Sequence, residues 1–314
     1  MTQEAPVVVV TGASSGIGRA VALRTAAQGC HVALVGREER SLQAVARACE
    51  RAGSASATVE PLDVGSDDAV AGLVERMQGR HGRLDAVVHV AGVVAYGRVE
   101  DVPVEVFDGV LRTNLLGSAN IARHVLPVLR SQGRGHLVLT GSVLGHLAVP
   151  GMTAYVVSKW GVRSLARQLQ LETRDLPHVH VSYVAPGGVD TPIYETAANY
   201  LGFRGRPPAP VTTPEHVARA IGRVLVRPRK RVQVGLANGV MRAGFSLLPG
   251  VYDLMVGPLF GVAAVDRTTP VAPGPGNVLE PDAAGHTLRG GQGNALVAVG
   301  HNVSKLFRER TGVR

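Results

Sequence analysis

The sequence predicts an α/β protein: a doubly wound parallel sheet of about seven strands with helices on both faces, followed by a C-terminal extension. Three observations predict it. Short aliphatic runs alternate with segments of helical periodicity from residue 7 to about 235. The connections between them are short, so successive elements lie side by side with right-handed crossovers. Hydrophobic residues make up 45% of the chain and aromatics only 4%, so valine, alanine, leucine and glycine must fill the core, as in a sheet buried on both faces.

The elements follow in order. VVVV at 7–10 reads as a buried strand and is followed by a helix from about Ile17 to Gln28. HVALV at 31–35 is a second strand, and Leu42, Val45, Ala46 and Cys49 mark one stripe of the next helix. ATVEPLDV at 57–64 leads to a helix with Val70, Leu73, Val74 and Met77 at helical spacing. DAVVHVAG at 85–92 is a fourth strand; Leu115, Ala119, Ala122, Leu126 and Leu129 mark a long helix; GHLVLTGS at 135–142 is a fifth. A helix containing Tyr155 leads to HVHVSYVAPGG at 178–188. Thr213 is the expected N-cap and Pro214 the first residue of the following helix, and RVQVG at 231–235 closes the sheet.

The character changes after about 236. The chain divides into residues 1–240, the catalytic domain, and 241–314, an extension with an apolar segment and a Pro/Gly-rich tail. Arg242 and Asp253 leave uncharged runs of ten (243–252) and twelve (254–265) residues, too short to span a bilayer. Two readings compete for this segment: a subunit interface or wall of the substrate pocket, and a peripheral membrane contact. Residues 266–293 are expected to be irregular.

The net charge is +9, from 33 basic and 24 acidic residues. The one tight basic cluster is RPRKR at 227–231, and no recognition motif accompanies it, so nucleic acid is not an expected partner. A phosphorylated cofactor or anionic substrate accounts for the charge more simply. Cys30 and Cys49 have no metal-ligand or disulfide spacing. Reduced thiols and an N-terminus without a signal-type apolar core fit a cytoplasmic location.

The chemistry begins at the first turn. Gly12, Gly16 and Gly18 follow the first strand directly and open a helix. Glycines there allow a tight turn and close approach of the backbone to a pyrophosphate, and the helix N-terminus offers unpaired N–H groups. The spacing Gly-x-x-x-Gly-x-Gly differs from the ordinary Gly-x-Gly-x-x-Gly fingerprint. Folds that bind NAD often carry a carboxylate at the end of the second strand; here Gly36 and Arg37 occupy the place. A guanidinium there can bind a 2′-phosphate bidentately, which favours NADP(H) over NAD(H). The alternative is that Arg37 is solvated and Glu38 or Glu39 takes the ribose.

Only three lysines occur, and Lys159 lies one helical turn after Tyr155, so the two side chains share a face. An ammonium beside a phenol favours the phenolate and lowers a pKa that is otherwise about 10.

Thr11-Gly12-Ala13-Ser14-Ser15-Gly16-Ile17-Gly18, Asp63-Val64, Ala91-Gly92, Asn114, Ser142, Tyr155-x-x-x-Lys159 and Pro186-Gly187 occur in this order. On these residues, over about 5–235, the chain resembles the single-domain branch of the short-chain dehydrogenase/reductase family, with its Rossmann-type sheet. The resemblance implies Tyr155 as general acid/base, Ser142 hydrogen-bonding the substrate carbonyl, and Lys159 also holding the nicotinamide ribose. It implies that Asn114, in the helix before the fifth strand, holds a water in a proton relay. It places Ser14, Ser15, Gly16, Ile17 and Gly18 at the phosphates, Asp63 and Val64 at the adenine, and Ala91 and Gly92 behind the cofactor. Pro186, Gly187, Val189 and Thr191 would line the nicotinamide. No metal is implied, and a homodimer or homotetramer is the family default. One position departs from the pattern: His89-Val90-Ala91-Gly92 stands where the family has Asn-Asn-Ala-Gly, and Val90 cannot supply the side-chain hydrogen bonds of the second asparagine.

The function implied is an NADP-dependent oxidoreductase acting on a ketone or secondary alcohol. Alternatives are a non-catalytic dinucleotide sensor or scaffold, disfavoured by the intact catalytic positions, and a membrane-peripheral lipid or steroid-type reductase. An epimerase or dehydratase would carry a larger substrate domain. SVLGHLAVPGM at 142–152 is largely apolar, with His146 the exception, and Tyr194, Tyr200 and Phe203 are interspersed with Arg204 and Arg206. This suggests a hydrophobic substrate with an acidic handle, beneath a loop that could act as a lid.

Overall fold

The computed structural model describes residues 4–282 and 286–292, with residues 299, 300, 302 and 304. The first half contains β1 (Val7–Thr11), α1 (Gly16–Ala26), β2 (His31–Gly36), α2 (Glu39–Arg51), β3 (Ser56–Pro61), α3 (Asp67–His81), β4 (Ala86–His89), β5 (Ala95–Tyr96) and α4 (Val104–Leu111). A π-helical turn, Arg112–Leu116, joins α4 to α5 (Gly117–Gln132). Then come β6 (Gly135–Thr140), α6 (Thr153–Glu172), β7 (Val179–Pro186), β8 (Ala198–Asn199), β9 (Phe203–Gly205), α7 (Pro214–Val226), β10 (Arg231–Val234), α8 (Asn238–Leu247), α9 (Pro249–Ala263) and β11 (Val265–Pro270).

Seven strands form one parallel sheet in the order β10-β7-β6-β4-β1-β2-β3. The chain winds outward from β1 to β3, returns to β4, and winds the other way to β10. The direction of winding reverses between β1 and β4, where a crevice opens outside the carboxyl ends of the strands. Alternate residues of each strand face opposite layers. Val7, Val9, Ala33 and Val35 pack with α3, α5 and α6; Val8, Val10, Val32 and Leu34 pack with α1, α2 and α7. This is the doubly wound architecture that the aliphatic runs predict.

Local signals hold at several boundaries. Thr213 Oγ1 accepts from the His216 N–H at 3.2 Å, and Pro214 is the first residue of α7. Cys49 is fully buried on the predicted stripe of α2. Other features depend on partners distant in sequence. The apolar segment folds as α8 and α9, and β11 (Val265–Pro270), which takes in the start of the stretch from 266 expected to be irregular, pairs antiparallel with β9. The two-residue strands β5 and β8 form a further small ladder. Ribbons this short carry no periodicity of their own and form only where the rest of the fold brings their backbones together.

Two histidines lie deep in the sheet. His89, at the end of β4, is hydrogen-bonded through Nδ1 to Thr11 Oγ1 at 2.8 Å; His136, in β6, meets Ser182 Oγ of β7 at 2.8 Å. Burial pushes the His89 pKa down to about 3, with the Lys159 charge adding to the effect, and that of His136 to about 4. Both groups therefore stabilise the fold while neutral. Their contribution is complete above the ordinary value of 6.5 and is lost as pH falls through the folded-state values. Urea unfolding at pH 7 and pH 5 is expected to show a loss of roughly 2 kcal/mol from each imidazole. A midpoint that does not move over that interval would contradict this account.

Candidate active site

The crevice at the carboxyl ends of the strands is a cleft with about 1360 Å³ of empty space. The glycine-rich turn forms its floor. Gly12 has φ +66°, a conformation that costs an ordinary residue energy, and a Cβ on Gly18 would lie 2.0 Å from the Gly12 carbonyl oxygen. These glycines let the chain turn back sharply from β1 into α1. Ser15, at the N-cap of α1, makes no side-chain capping bond; the Gly16 N–H is taken by the Thr287 carbonyl at 3.0 Å, and the rest of the helix N-terminus, with its positive dipole end, faces the cleft. A dinucleotide pyrophosphate fits this donor set.

Every residue expected to contact the cofactor lines the cleft. They are Gly12, Ser14, Ser15, Gly16, Ile17 and Gly18; Arg37; Asp63 and Val64; Ala91 and Gly92; Tyr155 and Lys159; and Pro186, Gly187, Val189 and Thr191. Ser142 lines it as well. Arg37 differs from expectation in one respect. Its guanidinium is engaged by the chain's own tail, donating to the carbonyls of Asn277 and Val278. Partial burial lowers its pKa, and Asp63 opposes that shift.

Tyr155 and Lys159 lie on the α6 turn that faces the cleft, with Lys159 Nζ 5.5 Å from the phenol ring centroid. Burial pushes the Tyr155 pKa up to about 12, and the hydrogen bond with Ser142 draws it back only in part. Burial pushes Lys159 down to about 8. This corrects the expectation that the ammonium lowers the phenol pKa. Lys159 Nζ donates to the Thr140 carbonyl at 3.3 Å, and desolvation dominates at the phenol. Tyr155 therefore holds its proton at neutral pH, the state a proton donor requires.

Asn114 does not line the cleft. It is buried in the π-helical turn between α4 and α5, ahead of the fifth strand of the large sheet. Its Oδ1 accepts from the Val93 N–H at 2.8 Å. Its Nδ2 donates to the Val93 carbonyl at 3.0 Å and to Ser158 Oγ at 2.9 Å. The Ser158 hydroxyl in turn donates to the Tyr155 carbonyl at 2.7 Å. Asn114 and Lys159 flank Gly92, where a Cβ would stand 3.1 Å from Asn114 Oδ1 and 3.5 Å from Lys159 Nζ. One side chain thus ties the loop after β4 to the Tyr155 helix.

The departure at Val90 has a structural answer. Thr11 Oγ1 accepts from the amides of Val90 and Ala91 at 3.1 and 3.2 Å, in addition to its bond with His89. A hydroxyl on β1 joins the two strand ends where Val90 cannot. Tyr183 and Ser158 carry no signal in the sequence, and Thr11 is marked there only as the first residue of the glycine-rich motif. Tyr183 donates to the Ser142 carbonyl at 3.2 Å and packs where a Cβ on Gly141 would intrude at 2.2 Å. No local spacing marks such a support, because it comes from a neighbouring strand.

On the substrate side, Tyr155, Ile193, Tyr194, Leu201 and, from α9, Phe260 all pack against one buried cluster of Val94, Tyr96, Met152 and Val156. Arg204 and Arg206, expected to meet an acidic handle on the substrate, do not line the cleft: Arg204 is exposed, and Arg206 is buried within reach of the Asp266 charge. Among the described residues no cluster of metal-ligating side chains occurs.

Comparison with known proteins identifies the family. Residues 6–200 match the family model for short chain dehydrogenases, and the chain belongs to that family. It is an oxidoreductase of the class acting on CH–OH donors. It is similar to an uncharacterised oxidoreductase of Staphylococcus saprophyticus, 34% identical over 60% of this chain and 80% of that protein. It is also similar to 3-ketodihydrosphingosine reductase of Bos taurus, 29% identical over 82% of each chain. Among solved structures, an alcohol dehydrogenase of Thermococcus sibiricus complexed with 5-hydroxy-NADP superposes with TM-score 0.64 at 29% identity, covering 74% of this chain and 96% of that one.

The Asn114 network makes a testable claim. Asn114→Ala leaves the buried amide and carbonyl of Val93 without their side-chain partners, at a cost of about 2–4 kcal/mol. Ser158→Ala should cost about 1 kcal/mol. Thermal unfolding of both variants checks this ranking, and an Asn114→Ala protein as stable as wild type would refute it.

Proposed function

We propose that this chain is an NADP(H)-dependent oxidoreductase that interconverts an apolar ketone and its secondary alcohol. The observation that carries the reading is the convergence of Ser142, Tyr155 and Lys159 in the cleft that also holds the glycine-rich turn. The cofactor supplies hydride to the carbonyl carbon or takes it back. In reduction the Ser142 hydroxyl donates a hydrogen bond to the substrate oxygen and the Tyr155 O–H transfers its proton there. The carbonyl becomes an alcohol, and the phenolate left behind is stabilised by the neighbouring Lys159 ammonium, which is the stage at which that charge helps most. In oxidation the same phenolate accepts the proton. Asn114 holds the Val93 loop and the Tyr155 helix in register and belongs to the path that returns a proton through Lys159. Arg37, with no carboxylate in its place at the end of β2, supports preference for the 2′-phosphorylated cofactor, as in the solved relative that binds a 5-hydroxy-NADP. The apolar surroundings of Tyr155 support a hydrophobic substrate. The reductase of a 3-keto sphingoid base among the relatives supports a long-chain one.

A second reading concerns where that substrate is met. No helix among the described residues is long and apolar enough to cross a membrane. Yet Leu236, Val240, Leu247, Leu248, Leu254 and Leu259 are all exposed on or beside α8 and α9. The inner side of α9 reaches, through Phe260, the apolar cluster that Tyr155 also packs against, and Tyr252 Oη donates to the Ala148 carbonyl at 2.6 Å. This favours peripheral contact with a lipid surface beside the substrate entrance.

Tyr155→Phe is expected to lower turnover of a medium-chain ketone panel by about 10²–10⁴-fold, the range for a lost general acid, with NADPH affinity nearly unchanged. Arg37→Ala should weaken NADPH binding about tenfold and leave NADH unaffected. Turnover surviving in Tyr155→Phe, or parallel losses for both nucleotides, would overturn these assignments. For the membrane contact, Leu247→Glu/Leu254→Glu should abolish co-sedimentation with phosphatidylglycerol-containing liposomes while keeping activity on a short soluble ketone. Equal pelleting of both proteins would dismiss it.

A further inference from the structure

We propose that residues 276–282 and 286–292 form a strap that is the outer wall of the dinucleotide cleft, so that the cofactor is held between strap and glycine-rich turn and exchanges only when the strap lifts. This inference rests on the dinucleotide reading above.

The strap and the turn bound the same cavity: Asn277, Pro281, Asp282 and His286 line it together with Gly12–Gly18. The cavity lies between them except at Gly16, whose N–H meets the Thr287 carbonyl, so the strap walls the cleft and touches the turn at one point. His286 Nε2 stands 3.9 Å from Glu38 Oε2, and both ring nitrogens are shielded from solvent without a hydrogen bond among the described residues, which places a polar edge of the strap on the cleft wall.

The two ends of the strap are held differently. The near end is set into the domain. The Asn277 N–H donates to the Thr196 carbonyl at 2.8 Å, its Nδ2 donates to Thr196 Oγ1 at 3.0 Å, and Val278 is buried against Val106 and Val110. The Asn277 and Val278 carbonyls also take the Arg37 guanidinium. The far end rests on polar contacts that cross the mouth of the cleft and on Leu288, which is only partly buried against the core, whereas Val278 of the near end is buried. The Gly16 N–H donates to the Thr287 carbonyl at 3.0 Å, and Arg19 Nη1 to the His286 carbonyl at 3.1 Å. Arg289 pairs with Glu215 at 2.9 Å. Gln292 reaches Asp190 through its N–H at 3.4 Å and Glu195 through Nε2 at 3.2 Å. Exposed ion pairs and single surface hydrogen bonds are weak, so the far end is the one that opens. A dinucleotide spanning the cleft from Arg37 to Thr191 lies beneath this crossing and cannot leave sideways past it.

The test is stopped-flow fluorescence of NADPH with the full-length protein, following association and then release on mixing with excess NADP⁺. Arg289→Ala/Gln292→Ala removes two far-end anchors that lie outside the catalytic and cofactor-binding set. Glu215→Ala removes one of them from the opposite partner and guards against a folding defect specific to the double variant. Association and release are both expected to accelerate, by about three- to tenfold in the double variant and about twofold in Glu215→Ala, with the equilibrium constant changed less than about threefold. Rates equal to wild type would overturn the proposal while leaving the dinucleotide reading intact. Faster association with unchanged or slower release would also overturn it, since the strap would then be a competitor that the cofactor displaces. Absence of NADPH binding to wild type would remove the dinucleotide reading, and the strap proposal with it.

Discussion

The structure depends on the junction where β1 and β4 lie side by side and the winding of the sheet reverses. One hydroxyl organises that junction. Thr11, the last residue of β1, is fully buried; its Oγ1 accepts from the amides of Val90 and Ala91 and is hydrogen-bonded to His89. Buried strand ends need such partners, because an unpaired amide there costs about 1–3 kcal/mol. The next residue, Gly12, turns the chain away so closely to Ala91 that a Cβ would stand 2.8 Å from the Ala91 nitrogen. The floor of the cleft is thus set by the contact between two strands separated by nearly eighty residues.

From that floor the proton chemistry is arranged by burial as much as by charge. Tyr155 and Lys159 sit on one face of α6, as their spacing requires. Burial holds the phenol protonated and lowers the Lys159 pKa to about 8, which still leaves the ammonium charged at neutral pH. The site is a low-dielectric pocket prepared for charge that develops only when a substrate oxygen takes the proton. The supports are backbone groups and neutral side chains: the Thr140 carbonyl for Lys159, the Ser142 carbonyl for Tyr183, and Asn114 with Ser158 for the base of the Tyr155 helix.

The C-terminal region extends this arrangement outward. α9 contributes Phe260 to the apolar wall beside Tyr155, β11 pairs with β9, and the segment beginning at Gly276 returns across the dinucleotide end. One stretch of chain, after the last strand of the large sheet, therefore touches both the substrate side and the cofactor side of the cleft. Its outer face carries exposed leucines on α8 and α9, and its far end is held by polar contacts at the surface.

The sequence by itself determined the parallel sheet, the order of its elements and the residues around the cleft. Aliphatic runs, helical stripes and glycine spacing are local consequences of backbone geometry, and Tyr155 and Lys159 share a face because a helix repeats every 3.6 residues. The tertiary structure decided what depends on distant partners. Thr11 compensates for Val90 through a bond to the neighbouring strand. Arg37 is met by carbonyls some 240 residues further along the chain. Arg206, adjacent in sequence to substrate-loop residues, is turned away from the cleft toward Asp266. Whether Lys159 or burial governs the Tyr155 proton is a balance of desolvation against distance, and a spacing of four residues specifies neither.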